Sequence, residues 1–557
     1  MPDLLATDGL SYVLGLTAAV AFLLHTYLTP QSLVHPILLG RQSDVERVRQ
    51  KGESAVYRNY ATGLMGRLPI RPENNILKIG DLVKTDFTGS RTLWSTKITN
   101  DELKNRVSSL ASGLVRIAGL QPKESNVLLL TDGLPFLLVD LALASHGIPS
   151  FTISSLTLLS TVLENHPPSA IVVDVGFAPE VLELIMDNRE FQNHTLILVG
   201  EGDVPKALEK VQVKVLWLSD LERQGAREGP LESAAIEPED VFSIAFYPGP
   251  NNELKGTQIT HQNITAGVAA TRGMFPLNEG ITTSDSVVSS FALSTPYGRT
   301  IAYAMLYEGA HFTTYSPTAE DEMSTATMSP DSEIRKIAEI QPQPTIVFAS
   351  FMQLGGMIWP IIGKAKDSWL FPVAWRQKVF HLQNGFLSKD SLWDRWVFAG
   401  SRKSVLRGMS DSLRGVVMSG GMINFIHAML NHLRVALSIP FVYAHSHPLV
   451  AGPVFASHPL DLQTFPISAT EKQGDFAAVA SVGPPSINVE VKMVNVNDEG
   501  IEGGADPTGE IAIRGPSVTL PLKETSKPHS WVLTGDRGLA QPNGTFKVIP
   551  TSQNELK

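Results

Sequence analysis

Four short runs are apolar from end to end: "NVLLLT" (126–131), "AIVVD" (170–174), "TLILVG" (195–200) and "VKVLWL" (213–218). None alternates polar with apolar residues, so each predicts a strand buried on both faces. Such strands belong to parallel sheets covered by helices. Helical stretches lie between them, as at Phe136 to Ser145. A strong helix precedes them. Thr99 and Glu102 form a capping box, and Leu103, Val107, Leu110, Leu114 and Ile117 recur at spacings of four and three. The alternation predicts a doubly wound α/β unit.

A second series begins near Asp240 with "VFSIAFY" (241–247), "VVSSFAL" (287–293), "HFTTY" (311–315), "TIVFAS" (345–350) and "RGVVMSG" (414–420). From about Val479 the strands become short and are broken by Gly and Pro, as in "INVEVKMVN", "GEIAIRGP" and "GTFKVI". That pattern predicts a small antiparallel barrel or sheet. The expected fold is therefore α/β: two doubly wound α/β subdomains plus a small β-barrel-like subdomain, preceded by an N-terminal membrane helix. The expected divisions are 1–30 for the anchor, 31–95 for an irregular extension, 96–235 for the first α/β subdomain, 236–478 for the second and 479–557 for the β-rich part. The polar stretch 318–332 reads as a surface loop.

The anchor rests on Gly9 to Leu28, which holds no Asp, Glu, Lys or Arg. About 20 apolar residues cross ~30 Å of hydrocarbon. Arg41, Arg47, Arg49 and Lys51 follow it and would hold the bulk of the chain in the cytosol. The net charge of −10 supplies no broad basic surface, which argues against nucleic acid as a partner. The absence of cysteine removes disulfides, thiolate metal sites and cysteine nucleophiles.

Four segments carry candidate chemistry. "FYPGPNNELKG" (246–256) joins a strand to a Gly–Lys-bearing turn, with Gly249, Lys255 and Gly256 as candidate phosphate-binding positions. "SGGMI" (419–423) offers Gly420 and Gly421, and "VYAHSHP" (442–448) offers Tyr443 and Ser446. "WVLTGDRG" (531–538), behind "GEIAIRGP" (509–516), offers Asp536, an acceptor-only carboxylate suited to paired hydroxyls. In order and spacing these resemble the signature segments of the adenylate-forming (AMP-binding) superfamily: YTSGTTGxPKG, SGGAP, YGxTE and WxxTGDxG. "LWDRWVFAGSRKSVLRGMSDSLRGVVMSGG" (392–421) looks most like the long-chain acyl-CoA synthetases. The resemblance runs over roughly residues 90 to 557.

It implies ATP or AMP, magnesium and CoA as cofactors, and a long-chain fatty acid or acyl-CoA as ligand. It also implies that Asp536 grips the ribose. The departures are specific. Pro248, Pro250 and Asn251 replace hydroxyl positions of the phosphate loop, and Asn252 replaces a glycine. Proline has no amide to offer a phosphate. His447 stands where the family's glutamate holds magnesium, Thr551 where its hinge has arginine and Asn554 where the hinge has aspartate. Thr295 replaces a histidine, while His261, in "THQN", reads as a helix-start residue. The resemblance also implies a small C-terminal domain bearing a catalytic lysine, which lies beyond the sequence in hand. No catalytic residue and no metal ligand is assigned. The expectation is a degenerate, membrane-anchored, long-chain acyl-CoA synthetase-like protein, weak or inactive in adenylation. The alternatives are an active fatty acid–CoA ligase or a truncated form of one. Membrane lipid is the further expected partner, at the endoplasmic reticulum, peroxisome or lipid droplet.

Overall fold

The computed structural model describes residues 9–28, 32–60, 68–84, 87–187, 195–201, 214–232, 234–276, 279–315, 336–420, 427–463, 474–522 and 530–550. Among them the strands form three sheets of eight, eight and six strands.

The four apolar runs form the strands Val127–Leu130, Ala170–Asp174, Thr195–Val199 and Lys214–Trp217. They pair in parallel, and Ser150–Ile153 joins them. The strand Val241–Pro248, expected to open the second series, instead pairs in parallel with Ser150–Ile153 in this first sheet. It then turns back antiparallel into Leu254–Thr260. An apolar run reports that a strand is buried, not which sheet it joins, and here that was decided by pairing across 92 residues of chain.

The second sheet takes Ser286–Ser289, His311–Thr314, Ile346–Ala349, Gly415–Ser419 and Phe441–Ser446, all parallel. Ser90–Leu93 joins its other side in parallel, and Pro453–Ala456 closes one edge antiparallel. The third sheet is antiparallel throughout and includes Glu490–Val494, Thr508–Arg514, Val532–Ala540 and Phe546–Ile549. The stretch 31–95 is not merely irregular. Its strands Ser43–Val45 and Tyr57–Asn59 extend this third sheet, with Val491 facing Tyr57. Strands of three residues carry too few side chains for a period to show, and the strand that ties this pair to the sheet lies more than 400 residues away.

The helix Asn100–Arg116 starts on the expected capping box: Thr99 Oγ1 accepts from the Glu102 amide, and Glu102 accepts from the Thr99 amide. It packs on the helix Leu218–Glu228 at a very close crossing. A Cβ on Gly225 would fall 2.0 Å from the Ser109 carbonyl oxygen, and one on Gly113 would fall 2.2 Å from that of Leu221. Only glycine at both places allows this approach.

The N-terminal segment does form a helix, Gly9–Leu28. Among the described residues, however, no helix is long and apolar enough to cross a membrane. The expected membrane-spanning helix is therefore not supported. Its large apolar side chains in that stretch, from Leu10 to Val20, are exposed and pack on no core. The polar stretch 318–332 lies outside the described residues.

Candidate functional site

The candidate residues gather at the carboxyl ends of the second-sheet strands, beside the hairpin of Val241–Pro248 and Leu254–Thr260 in the first sheet and the strand Val532–Ala540 of the third. Open α/β sheets place their ligand crevices at such ends.

The segment 249–253 is a tight reversal between Val241–Pro248 and Leu254–Thr260, with Tyr247 opposite Lys255 and Phe246 opposite Gly256. Asn251 and Asn252 both adopt left-handed φ, at 57° and 60°, a conformation that asparagine tolerates better than most residues. The reversal consumes its own donors. The Gly249 amide donates to the Glu253 carbonyl at 2.8 Å, and the Asn252 amide donates to the Gly249 carbonyl at 3.1 Å. Lys255 pairs with Glu253 at 3.2 Å rather than standing alone. A Cβ on Gly249 would fall 2.7 Å from the Lys255 chain, so glycine there lets the lysine lie across the turn. Gly256 lies under the Phe246 ring, which a Cβ would approach to 3.1 Å.

Asp536 lies on the strand Val532–Ala540 and is almost fully buried. One carboxylate oxygen meets His445 Nε2 at 2.9 Å, and its amide donates to Thr534 Oγ1 at 3.1 Å. His445 is a residue that motif comparison missed. It sits at the variable place of the YGxTE segment, where sequence carries no signal. Strand period would have found it, since Tyr443 and His445 lie two apart in Phe441–Ser446 and share a face.

His447 follows. Its Nδ1 accepts from the Leu449 amide at 3.2 Å, and its ring lies near the Thr534 carbonyl. Burial depresses its pKa, and the nearby His445 and Lys255 push the same way against the opposing pull of Asp536. The structure thus brings Lys255, His445, His447 and Asp536 into one electrostatic neighbourhood. Ser446 points elsewhere and accepts from Ser419 Oγ at 2.8 Å. Tyr443 is half-buried, and desolvation pushes its phenol up to about 12. Gly420 ends the strand Gly415–Ser419 with φ 68°, where a side chain would be strained. Gly421 lies outside the described residues, as do Thr551 and Asn554 of the hinge.

Two family histidine positions resolve as structural. Thr295 caps the helix Pro296–Glu308, its hydroxyl accepting from the Gly298 amide at 3.1 Å. His261 starts the helix His261–Arg272 behind Thr260, as expected. It stacks on Phe242 at 5.0 Å, and burial drives its pKa down to about 4.

The donor set divides by ligand part. A buried carboxylate at Asp536 suits a ribose hydroxyl pair, with His445 as its present partner. Magnesium demands hard oxygen ligands in octahedral array. A desolvated imidazole at His447 is the wrong donor, and among the described residues no group of three or more acidic or histidine side chains forms a metal cluster. The hairpin amides at Gly249 and Asn252 are already engaged, so they do not form a phosphate cradle.

The AMP-binding enzyme family matches residues 89–336. Among curated relatives, the human long-chain-fatty-acid–CoA ligase 1 is 24% identical over 397 residues, covering 68% of this chain and 51% of the relative. The peroxisomal long chain acyl-CoA synthetase 6 of Arabidopsis thaliana is 26% identical over 505 residues, covering 86% of this chain and 64% of the relative. The chain thus spans about half to two thirds of these relatives' lengths. Among solved structures, an anthranilate CoA ligase in complex with anthranoyl-AMP superposes with a TM-score of 0.59 at 16% identity, over 86% of this chain and 78% of that one. A long-chain-fatty-acid-CoA ligase from Archaeoglobus fulgidus gives 0.57 at 14%, over 87% and 84%. Such a family implies ATP or AMP, magnesium and CoA as cofactors. The chain carries an AMP-binding enzyme domain whose homologues are long-chain acyl-CoA synthetases and whose fold is that of the adenylate-forming CoA ligases.

Proposed function

We propose that this chain is a long-chain acyl-CoA synthetase-like protein of lipid metabolism that keeps ribose and acyl-chain recognition and adenylates fatty acids weakly or not at all. The observation that carries this reading is the half-buried histidine pair around the buried Asp536. His447 occupies the magnesium glutamate's place, and His445 holds the carboxylate that would take the ribose. The internally bonded hairpin at Gly249 supports it, because its amides are not presented to a phosphate. Without magnesium and a phosphate cradle, charge developing on the triphosphate in the transition state goes unmatched. Losing one such preorganised stabiliser costs about 3–4 kcal/mol, a hundred- to thousand-fold in rate. Long-chain acyl ligands follow from the relatives' printed activities.

The test is pyrophosphate exchange by the purified full chain with ATP, magnesium and a long-chain fatty acid, beside an Asp536→Ala control. Exchange near the control's background is expected, while AMP still binds. Robust exchange that Asp536→Ala abolishes would overturn the reading in favour of an active fatty acid–CoA ligase.

The exposed helix Gly9–Leu28 supports a further element of the reading: association with a lipid surface without crossing it. A long run of exposed apolar side chains is otherwise costly in water. The bulk of the chain then lies on the cytosolic face of the endoplasmic reticulum, peroxisome or lipid droplet.

A further inference from the structure

A second concavity has none of the Asp536 neighbourhood's residues in its lining. Its volume is about 580 Å³, within the range of small-molecule sites. Its floor is Met274, Phe275 and Pro276, just past the helix His261–Arg272, together with Pro485 and Ile487. Its lid is the strap Val34–Gln42. Two elements fix its distance from the candidate nucleotide site. The helix His261–Arg272 begins at the end of the Val241–Pro248 and Leu254–Thr260 hairpin remote from its 249–253 turn, where the His261 amide donates to the Asp240 carbonyl, and ends at this floor, about 18 Å further on. Pro459, also in the lining, accepts from the Phe441 amide at the start of Phe441–Ser446, about 16 Å along the strand from Ser446. The concavity therefore sits at the amino ends of the second-sheet strands, opposite the crevice.

The strap is held at both ends and open between. The Leu33 amide donates to the Gly385 carbonyl at 3.0 Å, and the Gln42 amide to the Asn543 carbonyl at 2.8 Å. Gln42 Nε2 also reaches Asp461 at 2.9 Å. Between these pins the one-turn helix Pro36–Gly40 buries none of its side chains. Ile37 is 76% exposed and Leu38 67%, although both border an apolar hollow. Their exposure costs free energy that an apolar occupant of the hollow would recover. One cation stands in the lining. Arg41 lies over the Tyr60 ring at 5.3 Å, with only a long 3.5 Å contact to Asp44, and its side chain remains 64% exposed. A planar guanidinium matches a carboxylate.

We propose that this groove binds a single-chain aliphatic carboxylate, with its chain along Ile37, Leu38, Met274 and Ile487 and its head at Arg41. This is a second lipid site that shares no residue with the nucleotide neighbourhood. It does not rest on the reading of adenylation, and either can fail alone.

The test is photolabelling of the full chain with a sixteen-carbon fatty acid bearing a diazirine in its chain, followed by peptide mapping. Label is expected on peptides covering 34–41, 273–276 and 484–487. Ile487→Trp, which fills the floor, and Leu38→Asp, on the exposed strap, should each remove that label, while Asp536→Ala leaves it in place. Arg41→Gln should weaken dodecanoate binding roughly tenfold, the loss of one charge-assisted contact. Dodecylamine should not compete. Label confined to peptides around Tyr443, or unchanged in folded Leu38→Asp, would overturn the proposal. Equal competition by dodecylamine would overturn the role of Arg41.

Discussion

At the scale of single residues, the pairing of His445 with Asp536 is the most consequential contact. An imidazole that donates to the carboxylate competes with any hydroxyl seeking the same oxygen. His445→Ala should therefore tighten AMP binding, by up to roughly tenfold if a charge-assisted bond is the competitor. Isothermal titration of the two proteins with AMP measures this. Weaker binding in the variant would mean that His445 orients Asp536 for the nucleotide instead. A second residue-scale consequence concerns acid. His261 titrates near 4 when folded and near 6.5 when unfolded, because burial disfavours its charged form. Below about pH 6.5 the unfolded chain takes up a proton that the folded chain refuses. Stability from this group is thus present at neutral pH and is lost as pH falls toward 4, by at most about 3 kcal/mol. His146, His447 and His458 are depressed by burial too and add to the same slope. The fall in melting temperature between pH 7.5 and pH 5 should be smaller in His261→Gln than in the parent chain.

At the scale of elements, the long-chain-type segment 392–421 turns out to be organised around charge. Asp394 is fully buried and accepts from Lys378 at 2.6 Å, from both terminal nitrogens of Arg402 and from Ser438 at 3.0 Å. Lys378, Arg402 and Ser438 come from three different elements or their ends, so one carboxylate ties the helices Phe371–Gln383 and Ala399–Leu406 to the end of His427–Leu437. Removing it strands two buried cations. Asp394→Ala should destabilise the fold by about 3–5 kcal/mol, read as a shift of the urea midpoint. A change under about 1 kcal/mol would mean that water reaches the cluster and solvates it. The aromatic residues around it, Trp393 and Phe398, pack as core, in keeping with a structural rather than a ligand-binding role.

At the scale of the whole molecule, the N-terminal helix presents exposed apolar side chains from Leu10 to Val20 among its described residues. Vesicles of phosphatidylcholine should carry the full chain upward in a density gradient, and deletion of residues 1–30 should leave it at the bottom. Flotation unchanged by the deletion would move the lipid contact to the body of the protein, where the strap at Ile37 and Leu38 is one exposed apolar surface. Carbonate treatment should release the bound chain, as expected for a helix that lies on a surface rather than through it.

What the sequence determined by itself was local. Strand runs such as 170–174 and 195–199, the Thr99–Glu102 capping box and the helix start at His261 were legible, because each follows from the periodicity and chemistry of neighbouring residues. The tertiary structure alone decided what depends on residues distant in the chain. It assigned Val241–Pro248 to the first sheet, drew 43–59 into the third, and set His445 against Asp536 across 91 residues. Hydrogen bonds and ion pairs of this kind are short-ranged in space and indifferent to sequence separation. No window along the chain contains them, and they arise only when the sheets have formed.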